Sequence, residues 1–129
     1  MPATVLIVED DFDAREVLAV LLRFEGFTVI TAEDGLAGLH SVQAERVDLI
    51  ITDIEMPHLD GIEMIRRLRA QEQLGSLPIV VISACDGRLL KTAITAGATY
   101  TMRKPARFDL LVKTVKGLLH PNEDNKNAN

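Results

Sequence analysis

Acidic, hydroxyl and basic residues stand directly after four of the apolar runs in this chain. Glu9-Asp10-Asp11 follows residues 4–8, Asp53 follows 47–52, Ser83-Ala84 follows 79–82, and Lys104-Pro105 follows 99–103. Carboxylates crowded together repel one another, and a hard divalent cation such as Mg²⁺ relieves that repulsion through oxygen ligands and retained water. With a cation screening it, the Asp53 carboxylate is a candidate nucleophile toward a phosphoryl group, giving an acyl phosphate. The Lys104 ammonium and the Ser83 hydroxyl could each hold an oxygen of that group. Positioning and charge neutralisation around an in-line attack are what phosphoryl transfer requires.

Such a site exists only if segments far apart in sequence end at one place. Residues 4–8, 27–31, 47–52 and 79–82 are rich in Val and Ile and bounded by polar residues, Gly or Pro. They read as strands buried on both faces, with a weaker fifth at 99–103. Helix-period stretches lie between them at 13–25, 35–46, 62–73, 88–96 and 107–119. In the first of these Ala14, Val17, Leu18, Leu21 and Leu22 form one apolar stripe, and Gly26 supplies a stop. Strands alternating with helices through short connections specify a doubly wound α/β fold: a five-stranded parallel sheet with five helices on both faces. Ligands of such sheets bind beyond the carboxyl ends of the strands, where all four polar groups fall.

Composition narrows the function classes. The 129 residues, 47% hydrophobic, suit one domain with one core. Fourteen Lys and Arg against 19 Asp and Glu give a net charge of -5, which argues against binding nucleic acid or an anionic membrane. The single cysteine, Cys85, rules out an intrachain disulfide framework and suits a reducing compartment, so a cytoplasmic location is expected. The first apolar run is too short for a signal-peptide core or a bilayer span. Residues 1–119 are expected to form the domain and the polar stretch 120–129 a flexible tail or the start of a linker. No effector domain is expected within these residues, and the start at Met1 favours a stand-alone protein.

Val8-Glu9-Asp10-Asp11, Asp53-Ile54-Glu55-Met56-Pro57-His58-Leu59-Asp60-Gly61, Ser83-Ala84, and Ala96-Gly97-Ala98 leading to Lys104-Pro105 form a highly specific set. Over residues 4–119 the chain resembles the receiver domains of two-component response regulators, typified by the chemotaxis response regulators. The resemblance implies a flavodoxin-like strand order 2-1-3-4-5 and a phosphorylation-activated switch that changes its partner-binding surface. It implies Asp53 as phosphoacceptor, and Mg²⁺ held by Asp11, Asp53 and the Glu55 main-chain carbonyl, with Asp10 acting through water. Ser83 would fill the hydroxyl role, Lys104 would contact the phosphoryl group, and the Lys104-Pro105 peptide would be cis. The implied phosphodonor is a histidine kinase or histidine phosphotransfer protein, and a phosphorylation-dependent dimer is compatible with the family. The implied chemistry is limited to Mg²⁺-dependent self-phosphorylation and self-dephosphorylation. Glu55 and Cys85, each two positions beyond a site residue, could flank the water that attacks the acyl phosphate. Where the family usually has an aromatic residue, three positions before the lysine, this chain has Thr101.

Plainer readings stand beside these. Asp10 and Asp11 suit the start of a helix, and Asp13 is the better candidate for a purely capping role. His40, His58 and His120 are scattered and make no relay or metal set, with His58 expected on a surface loop. Leu110 and Leu118 suggest an exposed apolar strip on the last helix. A haloacid-dehalogenase-like phosphatase would need an Asp two positions after the nucleophile, where Glu55 stands. A receiver-like scaffold that works without phosphorylation is the second rival.

Overall fold

The computed structural model describes residues 2–121, so the proposed tail from residue 122 onward lies outside the described residues. Thr4–Val8 (β1), Thr28–Ala32 (β2), Leu49–Thr52 (β3), Ile79–Ser83 (β4) and Tyr100–Arg103 (β5) pair in parallel in the order β2-β1-β3-β4-β5. Between and after them run Phe12–Phe24 (α1), Gly35–Ala44 (α2), Gly61–Arg69 (α3), Gly87–Ala96 (α4) and Phe108–Leu119 (α5). This is the doubly wound, flavodoxin-like architecture expected from the alternation of strands and helices.

Side chains alternate across each strand, so the sheet sorts its own residues into two cores. Leu6, Val8, Ile50, Ile79 and Val81 face α3 and α4, meeting Met64, Ile65, Leu68, Leu90 and Ala93, with α2 packed at the margin. Val5, Ile7, Leu49, Ile51, Val80 and Ile82 face α1 and α5, meeting Leu18, Ala19, Leu22, Leu111 and Val115. Burying every residue of β1, β3 and β4 except Thr4 is what their Val- and Ile-rich composition anticipates.

Four of the five helices begin on an aspartate whose carboxylate accepts backbone N–H groups left free in the first turn: Asp11, Asp34, Asp60 and Asp86. The cap of α1 is therefore Asp11, and Asp13, expected to cap, lies inside the first turn. The third helix is shorter than expected. It ends at Arg69, whose guanidinium folds back to donate to the Leu74 and Gly97 carbonyls, and a 3-10 turn over Glu72–Leu74 follows. Leu110 and Leu118 are half-buried against the α1–α5 core rather than forming an exposed strip, and Phe108 is the exposed large apolar residue of α5. Val17, expected on the inner stripe of α1, is exposed, as are Val20 and Phe24. No helix among the described residues is long and apolar enough to cross a membrane.

Candidate functional site

Parallel pairing continues one step past the strand ends. Glu9 N–H donates to Ala32 O, Asp53 N–H to Val8 O and Lys104 N–H to Ser83 O, at 3.0, 3.1 and 2.9 Å. Glu9, Asp53, Ser83 and Lys104 are thus held in register along the carboxyl edge of the sheet. Parity then selects a face. Glu9 follows Val5 and Ile7, Asp53 follows Leu49 and Ile51, and Lys104 follows Met102, and all of those apolar residues belong to the α1–α5 core.

That arrangement produces an ion-pair bridge. Lys104 Nζ donates to Glu9 Oε1 at 2.7 Å and to Asp53 Oδ2 at 2.9 Å. Glu9 is 3% and Asp53 9% exposed, so neither carboxylate has bulk water to solvate it fully. Burial by itself would lower the Lys104 ammonium, but hydrogen bonds and charges from Glu9 and Asp53 outweigh it and hold Lys104 above its ordinary value. Burial lifts the Glu9 carboxyl above the usual carboxylate range in spite of Lys104. Asp53 Oδ1 accepts the Ile54 N–H at 2.6 Å, leaving Oδ2 turned toward the lysine. The Lys104-Pro105 peptide is cis, as the resemblance implied.

One oxygen from each of Glu9, Asp10 and Asp53 lies within 4.8 Å of the other two. Three anionic oxygen donors at the edge of a sheet suit a hard divalent cation that keeps some of its water. The membership of this cluster differs from the ligand set that the resemblance implies. Asp11 is not in it, because its Oδ2 accepts the Ala14 N–H at 2.8 Å and caps α1, while Glu9 takes the place given to Asp11. Three consecutive acids therefore have three different fates: Glu9 pairs with Lys104, Asp10 faces Asp53, and Asp11 starts a helix. Parity with Val5 and Ile7 was the signal that could have found Glu9.

On the other side of Asp53 a pocket of about 200 Å³ is lined by Asp53, Glu55, Ser83, Ala84 and Cys85. Ser83 is buried, and its Oγ accepts the Cys85 N–H at 3.3 Å. The two residues placed two positions beyond Asp53 and Ser83 thus share a wall with them. Glu55 itself is exposed and its carboxylate lies outside the three-oxygen cluster. Gly61 makes the acceptor loop possible, since a Cβ there would collide with the Asp53 carbonyl. At β5, Thr101 is half-buried and Tyr100, on the opposite face, is exposed. Phe12 opens α1 beside the site, with the Arg15 guanidinium 5.5 Å from its ring centre while Arg15 donates to the Glu9 carbonyl at 2.7 Å.

Residues 5–116 match the family model described as the response regulator receiver domain. The chain belongs to the response regulator receiver domains. Over 120 residues this receiver domain is 37% identical to the response regulator MprA of Mycolicibacterium vanbaalenii, covering 92% of the chain and 51% of that relative. It therefore spans about half the length of the curated relatives it matches. Among solved structures it is similar to the chemotaxis protein CheY4 of Vibrio cholerae, with 32% identity and a TM-score of 0.85 over 92% of this chain and 100% of that one. It is also similar to the signal receiver domain of a signal transduction histidine kinase from Syntrophus aciditrophicus, with 30% identity and a TM-score of 0.86 over 92% and 91% of the two chains. The five-stranded receiver architecture and its strand order are thus shared with proteins of the same signalling class.

Proposed function

We propose that this receiver domain is a phosphorylation-activated switch in which Asp53 accepts a phosphoryl group from a phosphohistidine on a histidine kinase or phosphotransfer protein. The observation that carries this reading is the buried Asp53 carboxylate at the end of β3, with the Lys104 ammonium 2.9 Å away and two further carboxylates beside it. An Asp53 oxygen attacks phosphorus, the O–P bond forming as the N–P bond breaks and its electron pair leaves on the imidazole nitrogen. Lys104 is placed to follow the charge from the carboxylate to the phosphoryl oxygens, and the Ser83 hydroxyl offers a donor on the opposite wall. Glu9, Asp10 and Asp53 side chains and the Glu55 carbonyl would hold Mg²⁺, which supplies neutralisation of charge at the acceptor when bound. Asp11 supports the site from the start of α1.

Exchanging Lys104's partners on phosphorylation is the event that reshapes the surface. As a switch, the chain needs no chemistry beyond gaining and losing its own phosphoryl group. Glu55 and Cys85, lining the acceptor pocket, set access of the hydrolytic water and with it the lifetime of the acyl phosphate. A cytoplasmic site of action fits this donor class.

Intact-protein mass spectrometry after incubation with acetyl phosphate tests the reading, using wild type and Asp53→Asn, with Mg²⁺ or with excess chelator. One phosphoryl adduct that requires both Asp53 and Mg²⁺ is expected. If acetyl phosphate leaves no adduct, the same assay with a phosphorylated histidine kinase decides the matter. An adduct of equal yield on Asp53→Asn would overturn the assignment.

A further inference from the structure

Between Asp53 and α3 the chain runs through residues 54–60, and one turn of this loop has an unusual backbone. His58 has φ +69°, making it the only described residue other than glycine with a positive φ, and Leu59 N–H donates to Pro57 O across it at 2.8 Å. A three-residue turn closed around a positive φ is the rarer and more strained of its two hands. Such a conformation persists only where neighbouring structure over-determines it, and it therefore directs attention to whatever holds it.

What holds it is Asp34. This carboxylate is buried at the start of α2, where Oδ1 accepts the Ala37 N–H at 2.8 Å, and Oδ2 lies 2.8 Å from His58 Nδ1. A carboxylate can only accept, so Nδ1 carries the proton and donates. The His58 ring is otherwise largely exposed, at 68%, so packing does not explain its position. Beside this contact Gly35 N–H donates to Leu59 O at 3.2 Å, an approach that a side chain at position 35 would block.

We infer that the Asp34–His58 contact is a tether that positions the acceptor loop, and with it the Glu55 carbonyl, for divalent-cation binding. The inference rests on the function proposed above and adds a pair of positioning residues to it. The loop is fixed at Ile54, which is buried and whose carbonyl accepts Gly61 N–H at 2.8 Å, and again at His58 and Leu59. Only Glu55, Met56 and Pro57 lie between these anchors, and Pro57 has its φ restricted by its ring. Three residues between two fixed points have little freedom, so the second anchor sets where the Glu55 carbonyl points. Release of His58 lets the strained turn relax and frees that end of the span. Neither residue touches the reacting atoms, and both act through the backbone of Glu55.

Three variants separate this role from a merely structural one. His58→Gly removes the donor but accepts a positive φ without strain. His58→Asn keeps a donor at the same branch position and tolerates the left-handed region. Asp34→Ser preserves the cap on α2 while withdrawing the oxygen that meets His58. Two readouts are used: Mg²⁺ affinity by calorimetry, and hydrogen exchange of the Gly35 amide in the metal-free protein. His58→Gly and Asp34→Ser should each weaken Mg²⁺ binding by about fivefold, the equivalent of one hydrogen bond, and speed Gly35 exchange by about the same factor. The double variant should be no worse than either single one, and His58→Asn should restore both readouts. Wild-type values for His58→Gly in both measurements, or additive losses in the double variant, would overturn the tether. A wild-type protein that binds no Mg²⁺ would overturn the functional reading and the tether together, whereas unchanged variants of a Mg²⁺-binding wild type overturn the tether alone.

Discussion

On the side of the sheet covered by α2, α3 and α4, glycines bring backbone against backbone: Gly35 meets Leu59, and Gly61 meets Asp53. Gly38 likewise lets α2 settle on Val8 and Met64. Between α1 and α5 the same sheet is left with an apolar cleft of about 620 Å³ whose floor is Ile7, Ile51 and Ile82. Ala14 and Ala106 stand on its two walls, and small side chains there leave space because no backbone moves in to fill it. The contrast shows that a small residue closes a structure only when another segment is able to approach it. It also divides the site: the closed side locates the loop that carries Asp53, and the open side delivers Lys104 to the same carboxylates.

The sharpest way to break this comparison is to add one methyl group on the closed side. Gly61→Ala forces the acceptor loop away from α3 and should cost about 2–3 kcal/mol in urea unfolding, the upper part of the range for overpacked sites. A cost below about 0.5 kcal/mol, the level of an ordinary surface substitution, would show that the closed side has slack. Lys104→Ala tests the junction of the two sides by leaving the buried Glu9 carboxylate without its cation. A loss of about 1–2 kcal/mol at pH 7 is expected, measured by the same unfolding curves. On the open side Ala106→Val projects into vacant apolar space and should shift stability by less than about 0.5 kcal/mol in either direction. A larger loss would mean that the cleft walls are already in contact.

The remaining test is a pH dependence. The Ala37 N–H and then the His58 ring hold the Asp34 carboxyl below the usual carboxylate range. A group whose folded value is depressed stabilises the fold above its unfolded value, about 3.9 for Asp, and the benefit is lost as pH falls through the folded value. Wild type should therefore lose up to about 1 kcal/mol more than Asp34→Ser on going from pH 5 to below pH 3, the scale of one hydrogen bond. Parallel stability profiles for the two proteins would remove Asp34 from the account. Lys104, held above its ordinary value, is charged throughout that window and contributes no slope to it.

Strands β1 and β4 are legible in sequence because they are buried on both faces, which leaves an unbroken apolar run; β3 is legible too, but it begins at Leu49, two residues into its expected run of 47–52, because Asp48 interrupts that run and its carboxylate accepts the Thr4 N–H. The edge strands were less so: β2 begins one residue later than its apolar run, and β5 has only Met102 fully buried, so its signal is weak. The third helix is shorter than its periodicity predicts: residues 70–73 contain no breaker, and the helix ends where Arg69 reaches carbonyls at Leu74 and Gly97. Within the site, the places of Asp53, Ser83 and Lys104 after strands predict that they meet, and the structure brings Lys104 to 2.9 Å from Asp53 and lines one pocket with Asp53 and Ser83. Residue type alone did not separate Glu9, Asp10 and Asp11, since all three are carboxylates in consecutive positions.

Sequence by itself determined the alternation of strands and helices, the edge of the sheet where charge collects, and the family to which the chain belongs. These follow from local periodicity and from polar residues placed where apolar runs stop. Only the tertiary structure decided which acid meets Lys104, which caps α1, and that His58 reaches Asp34 across 24 positions. Those outcomes depend on strand register and on the face each side chain takes, and both are set by the pairing of segments that are distant along the chain.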